Sequence, residues 1–388
     1  MSAGARGPIL PGATIGILGG GQLGRMIAMA ARVMGYKIRA LDPDPRCAIR
    51  PLADELIIAP FNDTASAVRL SQHCAVLTID NERISINSLE ECARYVPVRP
   101  SARVLSLVQD RASQKSWLAR HGYPLGPWKP AASFEQLHAA AAGFGFDCYI
   151  KACRGGYDGH AQARIRCEAD VAKAWDTLGP QAYVVEQALD LEAELSVLVA
   201  RRPSGEIIAY PPALNHHEDR ILRWSVIPAP VSREIARETC ALAVDIADSL
   251  ALEGLLVVEM FMDRHRSLLV NELAPRPHNS YHASERACMT SQFEQAVRAL
   301  CDLPLGSADI MRPVAIANLL GDLWSEGAAP PLEKALALPG VHLHIYDKHP
   351  PRARRKMGHL SAVAETPEQA IEKILEGMRR LRENGTRS

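Results

Sequence analysis

The N-terminal part of the chain alternates between strand and helix patterns, and this alternation constrains the fold more than any other feature. Residues 14–18 form a continuous apolar run, and residues 22–34 then carry apolar side chains at helical spacing. A strand pattern at 37–41, a helix pattern at 63–73 and a further strand pattern at 75–79 continue the series. Strands that alternate with helices in this way predict a parallel, doubly wound sheet, which is an α/β fold.

The pattern changes near Pro130, where short strands begin to follow one another as hairpins. Strands are expected near 149–166, 182–186, 194–201, 254–272, 314–318 and 341–346, and helices at 101–120, 232–250 and 367–381. This arrangement is typical of an α+β fold rather than of a second doubly wound sheet. The chain is therefore expected to combine an α/β unit with α+β units that follow it.

Composition excludes several classes of protein. The 388 residues include 44 Lys+Arg and 44 Asp+Glu, so the net charge is zero and a surface that coats nucleic acid is not expected. No apolar run approaches the ~20 residues that span a bilayer, and the first residues lack the apolar stretch of a secretory signal. The nine cysteines are scattered without a C-x-x-C pair, which favours buried thiols in a reducing cytoplasm over disulfides or a zinc site.

A glycine-rich turn, Gly19-Gly-Gly21-Gln-Leu-Gly24, follows the first strand and opens the first helix. Such a turn lets backbone N–H groups approach a phosphate, and Asp42 lies 18 residues after Gly24, where dinucleotide enzymes keep an acid for the ribose. The turn alone leaves two interpretations open, a nicotinamide-dependent oxidoreductase or a phosphate-compatible turn in a Rossmann-like unit. Asp80 and Glu82 follow the third strand, at the sheet edge where such folds bind ligands.

Glu259 and Glu272 lie on two apolar strands joined by a polar turn. If residues 264–267 form a four-residue loop, Glu259 lies directly opposite Glu272, with the two Cβ atoms ~5 Å apart. The same register pairs residue 261 with residue 270, and residue 263 with residue 268. Two carboxylates so close repel each other unless a cation lies between them, and Mg²⁺ that bridges to phosphate is a common solution. The sequence therefore predicts a magnesium site on this hairpin.

Three further segments bring polar groups together. A strand delivers Lys151 to a glycine-rich turn, where backbone N–H groups and an ammonium group can counter the charge of a polyphosphate. A Pro-stiffened polar loop at 271–282 follows the carboxylate hairpin, and Lys348 with the run 352–356 forms the main basic cluster. The zero net charge favours a small anion over nucleic acid as the ligand of that cluster.

The order of these motifs resembles the ATP-grasp superfamily and, within it, the N5-carboxyaminoimidazole ribonucleotide synthetase family of purine biosynthesis. The resemblance extends from about residue 14 to about residue 363. It rests on Gly-Gly-Tyr-Asp-Gly at 155–159, Asn-Glu-Leu-Ala-Pro-Arg-Pro-His-Asn-Ser at 271–280 and Arg-Lys-Met-Gly-His at 355–359. It implies an ATP-grasp fold with an N-terminal Rossmann-like domain, small (lid) and large ATP-grasp domains, and a small β-rich C-terminal domain. The expected boundaries are 1–110, 111–189, 190–310 and 311–388.

The resemblance also implies an activity. In this family, ATP and bicarbonate give carboxyphosphate, and the amine of 5-aminoimidazole ribonucleotide captures the carboxyl group. The expected cofactors are ATP and Mg²⁺. The expected partners are these small molecules and a second copy of the chain, in a cytoplasmic homodimer that binds neither nucleic acid nor membrane. Mg²⁺ and Lys151 would offset charge on the transferring phosphoryl group, and a closed lid would keep water from the labile carboxyphosphate.

By the same resemblance, residues are assigned to each ligand. ATP is expected to contact Arg111, Lys151, Gly156, Tyr157, Asp158, Gly159, His160, Ala161, Gln162, Glu186, Gln187, Ala188, Leu189, Glu194, His217, Asn271 and Glu272. Mg²⁺ is expected at Glu259 and Glu272. The ribonucleotide is expected at Gln22, Leu23, Glu82, Asn279, Lys348, Arg355 and Lys356. The catalytic residues, near the transferring groups, are expected to be Lys151, Tyr157, Asp158, Arg276 and His278.

The chain departs from the family pattern at several positions. With the family's usual residue in parentheses, these are Asp80 (Glu), Asn81 (Phe), His160 (Lys), Ala161 (Gly), Leu214 (Glu), Tyr281 (Gly) and Asp347 (Gly). The departures leave alternatives to the expected activity. The chain could be another ATP-grasp carboxylate–amine ligase with a different acceptor, a non-catalytic nucleotide sensor, or the oxidoreductase that the glycine-rich turn allows.

Overall fold

The computed structural model describes residues 7–155, 161–324 and 328–382. The N-terminal unit contains β1 (Thr14–Leu18), α1 (Gln22–Val33), β2 (Lys37–Asp42), β3 (Glu55–Ile58), α2 (Thr64–Ser71), β4 (Val76–Ile79), α3 (Ile86–Cys92) and α4 (Ala102–Val108). Its strands form a parallel sheet in the order β3-β2-β1-β4, which confirms the predicted α/β unit. The sequence analysis missed β3, a four-residue edge strand too short to give a clear periodicity.

The single helix predicted over 101–120 is wrong, because the structure has two helices there. The first is α4, and the second is α5 (Arg111–Arg120). Asp110 separates them and caps α5, since its carboxylate accepts a hydrogen bond from the Ser113 N–H at 2.9 Å. Asp is favoured at this position because its side chain satisfies an N–H group that has no partner within the helix. The break starts a new helix whose first turn faces the cavity described below.

The second unit is a small antiparallel sheet with two helices. It contains β5 (Trp128–Ala131), α6 (Phe134–Ala142), β6 (Cys148–Ala152), β7 (Gln162–Ile165), α7 (Ala169–Leu178) and β8 (Tyr183–Gln187). The strand order is β5-β8-β6-β7. Leu137, Ile150 and Val185 belong to an apolar cluster confined to this unit, so it has a core of its own.

The third region is dominated by one large sheet. It contains β9 (Leu191–Arg201), β10 (Ile207–Ala209), β11 (Ala213–Glu218), β12 (Ile221–Ile227), α8 (Arg233–Ser249), β13 (Gly254–Asp263), β14 (Leu268–Ala274), α9 (Ser284–Ala287), α10 (Gln292–Leu300), β15 (Val314–Leu320), α11 (Leu332–Leu336), β16 (Val341–Ile345), β17 (Lys356–Val363) and α12 (Pro367–Arg382). Nine strands pair in the order β14-β13-β9-β11-β12-β15-β17-β16, with β10 on β9. The C-terminal strands therefore extend the sheet that begins with the carboxylate hairpin β13–β14.

Apolar packing fixes the parallel sheet against the large sheet. One cluster joins Ile17 and Met26 of the N-terminal unit to Leu198 of β9, and a second joins Leu77 to Val197 of the same strand. Neighbouring residues of β9 thus pack into different cores, because successive side chains of a strand point to opposite faces. Since each buried CH₂ contributes about 0.8 kcal/mol, these clusters hold the two sheets in a defined relative position.

Two further expectations concern the whole chain. Among the described residues, no helix is long and apolar enough to cross a membrane. All nine cysteines are free thiols, and only Cys167 is exposed. The scattered spacing of the cysteines thus corresponds to isolated thiols, as predicted.

Candidate active site

A cavity of about 1250 Å³ lies where the three regions meet. We call the part lined by Arg111, Lys115, Lys151, Glu186, Glu194, His217, Glu259, Asn271 and Glu272 the hairpin side. We call the part lined by Gln22, Leu23, Glu82, Asn279, Lys348 and Lys356 the loop side. Gln162, Gln187, Leu189, Arg276 and His278 also line the cavity. One cavity therefore collects most of the residues that the resemblance assigns to ATP, metal and ribonucleotide.

The two carboxylates of the hairpin face each other as predicted. Glu259 of β13 pairs directly with Glu272 of β14. The rest of the predicted register is wrong, because Phe261 pairs with Leu269 rather than with residue 270. A bulge between Glu259 and Met260 shifts the register by one residue.

The turn explains this shift. Asp263 N–H donates to the Ser267 carbonyl, so the loop holds three residues, 264–266, instead of four. The Asp263 carboxylate accepts from the N–H groups of His265 and Ser267, and Arg266 adopts a left-handed conformation with φ 63°. A type I turn followed by a left-handed residue is a common three-residue hairpin loop. The bulge then restores the pairing of the two glutamates.

The bulge also directs a third oxygen-bearing side chain into the site. Asn271 is the extra residue on β14, and its Nδ2 donates to Glu259 Oε2 at 3.4 Å. Bulges often re-aim side chains next to active sites, and this one brings the Asn271 amide beside Glu259. Two carboxylates and one amide are thereby gathered on one hairpin, a donor set that suits a hard divalent cation.

Each hairpin carboxylate has a basic side chain as its partner in the structure. Arg111 Nη1 lies 2.8 Å from Glu272 Oε2, and His278 Nε2 lies 3.1 Å from Glu259 Oε1. Burial alone would raise the pKa of Glu259, but the contact with His278 outweighs burial and lowers the pKa. Glu272 is the strongest influence on Arg111 and raises the pKa of that guanidinium. Glu259 is therefore ionised, and either glutamate can exchange its present partner for a metal ion.

Glu186 is held by two lysines. Lys151 Nζ lies 2.7 Å from Glu186 Oε2, and Lys115 Nζ lies 3.2 Å from Oε1. Burial would raise the pKa of Glu186, but Lys151 and then Lys115 lower it to about 2. The sequence analysis did not single out Lys115. A signal was present, since Lys115 lies four residues after Arg111 and so on the same face of α5.

Glu194 and His217 form a further pair on the hairpin side. They lie on the neighbouring strands β9 and β11, and His217 Nδ1 is 2.6 Å from Glu194 Oε2. Burial alone would lower the pKa of His217, but Glu194 outweighs it and raises the pKa. The pair presents carboxylate oxygen and imidazole N–H groups to the cavity, which can bind hydroxyl groups.

The loop side combines polar groups from distant parts of the chain. Lys348 donates a hydrogen bond to the side chain of Gln22, and Arg276 Nε lies 2.7 Å from Glu82 Oε1. Asn279 is 6 % exposed, and neither its amide nitrogen nor its amide oxygen has a hydrogen-bond partner among the described residues. Buried amides are normally hydrogen-bonded, so Asn279 marks a place where a polar ligand fits.

Three predicted ligand residues do not line the cavity, namely Ala161, Ala188 and Arg355. Ala188 N–H donates to the Asp147 carbonyl, and Arg355 Nη1 donates to the carbonyl oxygens of His349 and Pro350 at 3.0 and 2.9 Å. Arg355 therefore braces the loop that carries Lys348 instead of facing the cavity. Gly156, Tyr157, Asp158, Gly159 and His160 lie outside the described residues.

The N-terminal glycine-rich turn at 19–24 donates hydrogen bonds to two carboxylates of the same chain. Gly20 N–H donates to Asp42 Oδ2 at 2.6 Å, and Gly24 N–H donates to Asp80 Oδ2 at 3.2 Å. A Cβ at Gly24 would lie 2.6 Å from the Gly19 carbonyl oxygen, so glycine is needed there for close packing. Two donors of the turn are thus occupied, and the carboxylates would repel a phosphate. This arrangement argues against the nicotinamide-dependent oxidoreductase.

Most described departures from the family pattern lie away from the cavity. Tyr281 is fully buried, and its hydroxyl group bonds the carbonyl oxygens of Ser196 and Pro211, each at 2.9 Å. Leu214 is half-buried and packs in an apolar cluster. Asp347 has φ 58°, a conformation that glycine adopts without strain and that Asp tolerates better than most residues. Among the departures that the structure describes, only Asp80 and Asn81 line the cavity.

A histidine stack lies behind the loop side. The ring centroids of His282 and His359 are 4.9 Å apart, and those of His359 and His344 are 5.1 Å apart. The Tyr346 hydroxyl shares a hydrogen bond of 2.8 Å with His359 Nδ1. Burial lowers the pKa of His282 well below its usual value, and burial followed by His344 lowers the pKa of His359 to about 3. These two neutral rings join the Asn279 segment to β17, which carries Lys356.

Models of three protein families match the chain. The model described as an ATP-grasp domain matches residues 116–293. The ribonucleotide synthetase preATP-grasp domain matches residues 12–109, and the phosphoribosylaminoimidazole carboxylase C-terminal domain matches residues 314–373. The three matches follow one another along the chain and together cover the fold described above.

Individual relatives match over nearly their whole length. The N5-carboxyaminoimidazole ribonucleotide synthase of Bacillus subtilis (strain 168) is 38% identical over 369 residues, which cover 94% of this chain and 95% of that protein. A crystal structure of the ADP complex of an N5-carboxyaminoimidazole ribonucleotide synthetase is similar with a TM-score of 0.91 and 39% identity, covering 96% of this chain and 97% of that one. The Aspergillus clavatus synthase in complex with ADP and 5-aminoimidazole ribonucleotide has a TM-score of 0.87 and 27% identity, covering 95% and 98%.

Proposed function

This chain belongs to the N5-carboxyaminoimidazole ribonucleotide synthase family, and from that premise we propose that its central cavity is the active site. The chain has an ATP-grasp fold and is an ATP-dependent ligase. It carboxylates 5-aminoimidazole ribonucleotide to N5-carboxyaminoimidazole ribonucleotide in purine biosynthesis. The observation that most supports the cavity as the site is that paired carboxylates, buried lysines and the basic loop line one space.

We propose bicarbonate as the source of the carboxyl group. A bicarbonate oxygen attacks the γ-phosphorus of ATP, ADP leaves, and carboxyphosphate forms. The amine nitrogen of the ribonucleotide then attacks the carboxyl carbon, and inorganic phosphate leaves. Such phosphoryl transfer needs positioning and charge stabilisation more than covalent chemistry from the protein, which is what the charged side chains of this cavity can provide.

On the hairpin side, ATP would bind by exchange of ion-pair partners. Arg111 and Lys151 are bound to Glu272 and Glu186 in the structure. Phosphate oxygens can replace these carboxylates as partners of the two cations, because both groups accept charge-assisted hydrogen bonds. The pair of Glu194 and His217 suits the ribose hydroxyls.

The hairpin fits Mg²⁺. Glu259, Glu272 and Asn271 place two carboxylates and an amide at one bulge, and hard oxygen donors are the ligands that Mg²⁺ prefers. When bound, the ion would neutralise charge on the phosphoryl group that is transferred. Arg111 and His278, released from the glutamates, would then be available to the phosphate and carboxyl groups.

On the loop side, we propose that the ribonucleotide occupies the space beside Asn279. Its buried, unpartnered amide supports a polar ligand there. The ammonium groups of Lys348 and Lys356 suit a 5′-phosphate dianion, while Arg355 would act indirectly by bracing the loop. Gln22, Leu23 and Glu82 would complete the pocket.

Carboxyl transfer would take place where the two sides meet. His278 contacts Glu259 of the hairpin side, and Arg276 contacts Glu82 of the loop side. The two residues follow the hairpin on one loop, so both can reach groups that pass from the nucleotide to the amine. The roles assigned to Tyr157 and Asp158 stay predictions.

Further assignments remain part of the proposal. The proposed domains are 1–110, 111–189, 190–310 and 311–388. The first three occupy different sheets, whereas the strands of the third and the fourth belong to one large sheet. We also propose a cytoplasmic homodimer that binds neither nucleic acid nor membrane. Free cysteines and zero net charge support a reducing compartment and small-molecule substrates. Light scattering on the purified protein would test the dimer.

An acceptor-dependent ATPase assay tests the activity. Phosphate release from ATP would be measured with bicarbonate, with and without 5-aminoimidazole ribonucleotide, and the ribonucleotide would be followed for carboxylation. We expect the ribonucleotide to stimulate turnover and to become carboxylated. If it does neither while ATP is still hydrolysed, the acceptor is wrong and another ATP-grasp ligase becomes the working model. If ATP is bound but never hydrolysed, even in a single turnover, the sensor alternative holds.

A further inference from the structure

Lys115 is a buried cation in the active site to which the proposed mechanism gives no role. Its side chain is 6% exposed, and its Nζ lies 3.2 Å from Glu186 Oε1. Lys151 Nζ binds the other oxygen of the same carboxylate at 2.7 Å. One carboxylate therefore holds two ammonium groups, one on each oxygen.

This arrangement leaves one positive charge in excess. Lys115 and Lys151 together carry two positive charges against the single negative charge of Glu186. An excess charge in a largely buried place is energetically unfavourable unless a ligand of opposite charge neutralises it. All three side chains line the cavity, so an anionic ligand can reach them. Phosphate groups of a nucleotide have the required charge.

The two lysines lie on different elements and have different surroundings. Lys115 lies on α5, whose start is fixed by the Asp110 cap. Lys151 lies on β6, and its side chain is 13% exposed against 6% for Lys115, so Lys151 is the lysine more open to the cavity. Burial lowers the pKa of Lys115, and Glu186 is the largest influence in the opposite direction. Lys115 is thus adapted to one partner, Glu186.

Resting on the proposed function, we propose that Lys115 is a positioning residue that lets Lys151 leave Glu186 for the nucleotide. When the Lys151 ammonium group moves from Glu186 to a phosphate, Glu186 stays paired with Lys115. Without Lys115, the same movement would leave the buried Glu186 carboxylate with no cation, which is strongly unfavourable. Lys151 would then remain on Glu186, and the nucleotide would bind weakly.

The test compares nucleotide binding among variants of this triad. Lys115→Met removes the charge and keeps the length of the side chain, Lys115→Arg keeps the charge, and Lys173→Met is the matched control on an exposed lysine. ADP affinity would be measured by calorimetry with Mg²⁺ present, alongside the KM for the ribonucleotide and the thermal midpoint. We expect Lys115→Met to weaken ADP binding by about tenfold or more, with partial recovery in Lys115→Arg.

A merely structural role would give a different result. Loss of packing alone would lower the thermal midpoint and impair ADP and the ribonucleotide alike. The positioning role impairs ADP and leaves the KM for the ribonucleotide unchanged. Unchanged ADP affinity in a folded Lys115→Met variant overturns the proposal.

The Glu186→Gln background provides a second test, including the case in which Lys115→Met does not fold. Because the substituted amide carries no charge that could be left unpaired, adding Lys115→Met to Glu186→Gln should change the ADP affinity by less than about twofold. A further tenfold loss in the double variant would overturn the proposal. Failure of wild-type protein to bind adenine nucleotides would instead overturn the proposed function itself.

Discussion

The charged side chains on the two sides of the cavity have different kinds of partners. On the hairpin side, Arg111 is paired with Glu272, and Glu186 is paired with Lys115 and Lys151. On the loop side, Lys348 donates to the neutral side chain of Gln22, and neutral histidines lie behind the pocket. The hairpin side is therefore built mainly from ion pairs, whereas the loop side combines one ion pair, Arg276 with Glu82, with the hydrogen bond between Lys348 and Gln22 and with buried neutral histidines.

This difference predicts different kinetic consequences on the two sides. If a hairpin-side carboxylate holds the metal, as proposed, it acts on the charge that develops during phosphoryl transfer, and its loss should lower kcat. If a loop-side cation binds a phosphate that does not react, as proposed, its loss should raise the KM for the ribonucleotide and leave kcat nearly intact. Kinetic measurements on substitutions at each side therefore test whether the two sides differ in this way.

The largest effect is expected for Glu272→Gln. The variant keeps the size of the side chain but removes the negative charge that the metal requires, so Mg²⁺-dependent turnover should fall by about 100-fold or more while the fold is retained. Turnover would be measured across a range of Mg²⁺ concentrations, with Glu238→Gln on the exposed face of α8 as the control. Near-wild-type activity would remove Glu272 from the metal site.

A smaller effect is expected for Lys348→Gln, and it should appear in KM rather than in kcat. Loss of a charge-assisted contact to phosphate should raise the KM for the ribonucleotide by about tenfold, with little change in kcat or in the KM for ATP. Steady-state kinetics would be run on this variant and on Lys173→Gln. A fall in kcat with unchanged KM would mean that the loop side takes part in the chemistry and that the two sides are not distinct.

The features predicted correctly from the sequence were mostly local ones. The parallel sheet follows from periodicity along the chain, and the pairing of Glu259 with Glu272 follows from a short hairpin whose strands have to meet. The pairing survived an incorrect loop length because the bulge at Asn271 compensated for it, and no pattern in the sequence signalled that bulge.

The missed features depend on contacts between distant residues. Asp42 and Asp80 fill the glycine-rich turn only because three strands bring them to one sheet edge. Lys115 shares its helix face with Arg111, but its proposed role depends on Glu186, which lies 71 positions further along the chain, on strand β8. Helical spacing alone could not identify that partner.

The two sides should also differ in their response to acid. The unfolded pKa of histidine is about 6.5, so unfolded chains gain protons below that pH while buried His359, with a pKa of about 3, does not. The contribution of His359 to the free energy of unfolding is therefore fully present above pH 6.5 and is lost as the pH falls toward 3. Glu186, with a pKa of about 2, keeps its contribution until the pH drops below about 4.5.

Between about pH 6.5 and pH 5, the histidine stack should thus dominate the loss of stability, by up to about 1.4 kcal/mol per pH unit for each neutral imidazole. Urea unfolding across this range would be compared for the wild type, His359→Gln and His265→Gln, the last being an exposed control. We expect a shallower pH dependence only in His359→Gln. If the free energy of unfolding falls with pH at the same slope in all three proteins, groups other than His359 cause the acid sensitivity.

The smallest effect concerns Tyr281, a departure beside the loop side that leaves the ligand space unchanged. Its hydroxyl proton is shared between the carbonyl oxygens of Ser196 and Pro211, within the core that supports β9. Tyr281→Phe should therefore lower the free energy of unfolding by about 1 kcal/mol, while the KM for the ribonucleotide stays unchanged. Tyr95→Phe, at a tyrosine that is 48% exposed, is the control. A raised KM at unchanged stability would show that Tyr281 shapes the acceptor site, so the loop side would then depend on its core as well as on its cations.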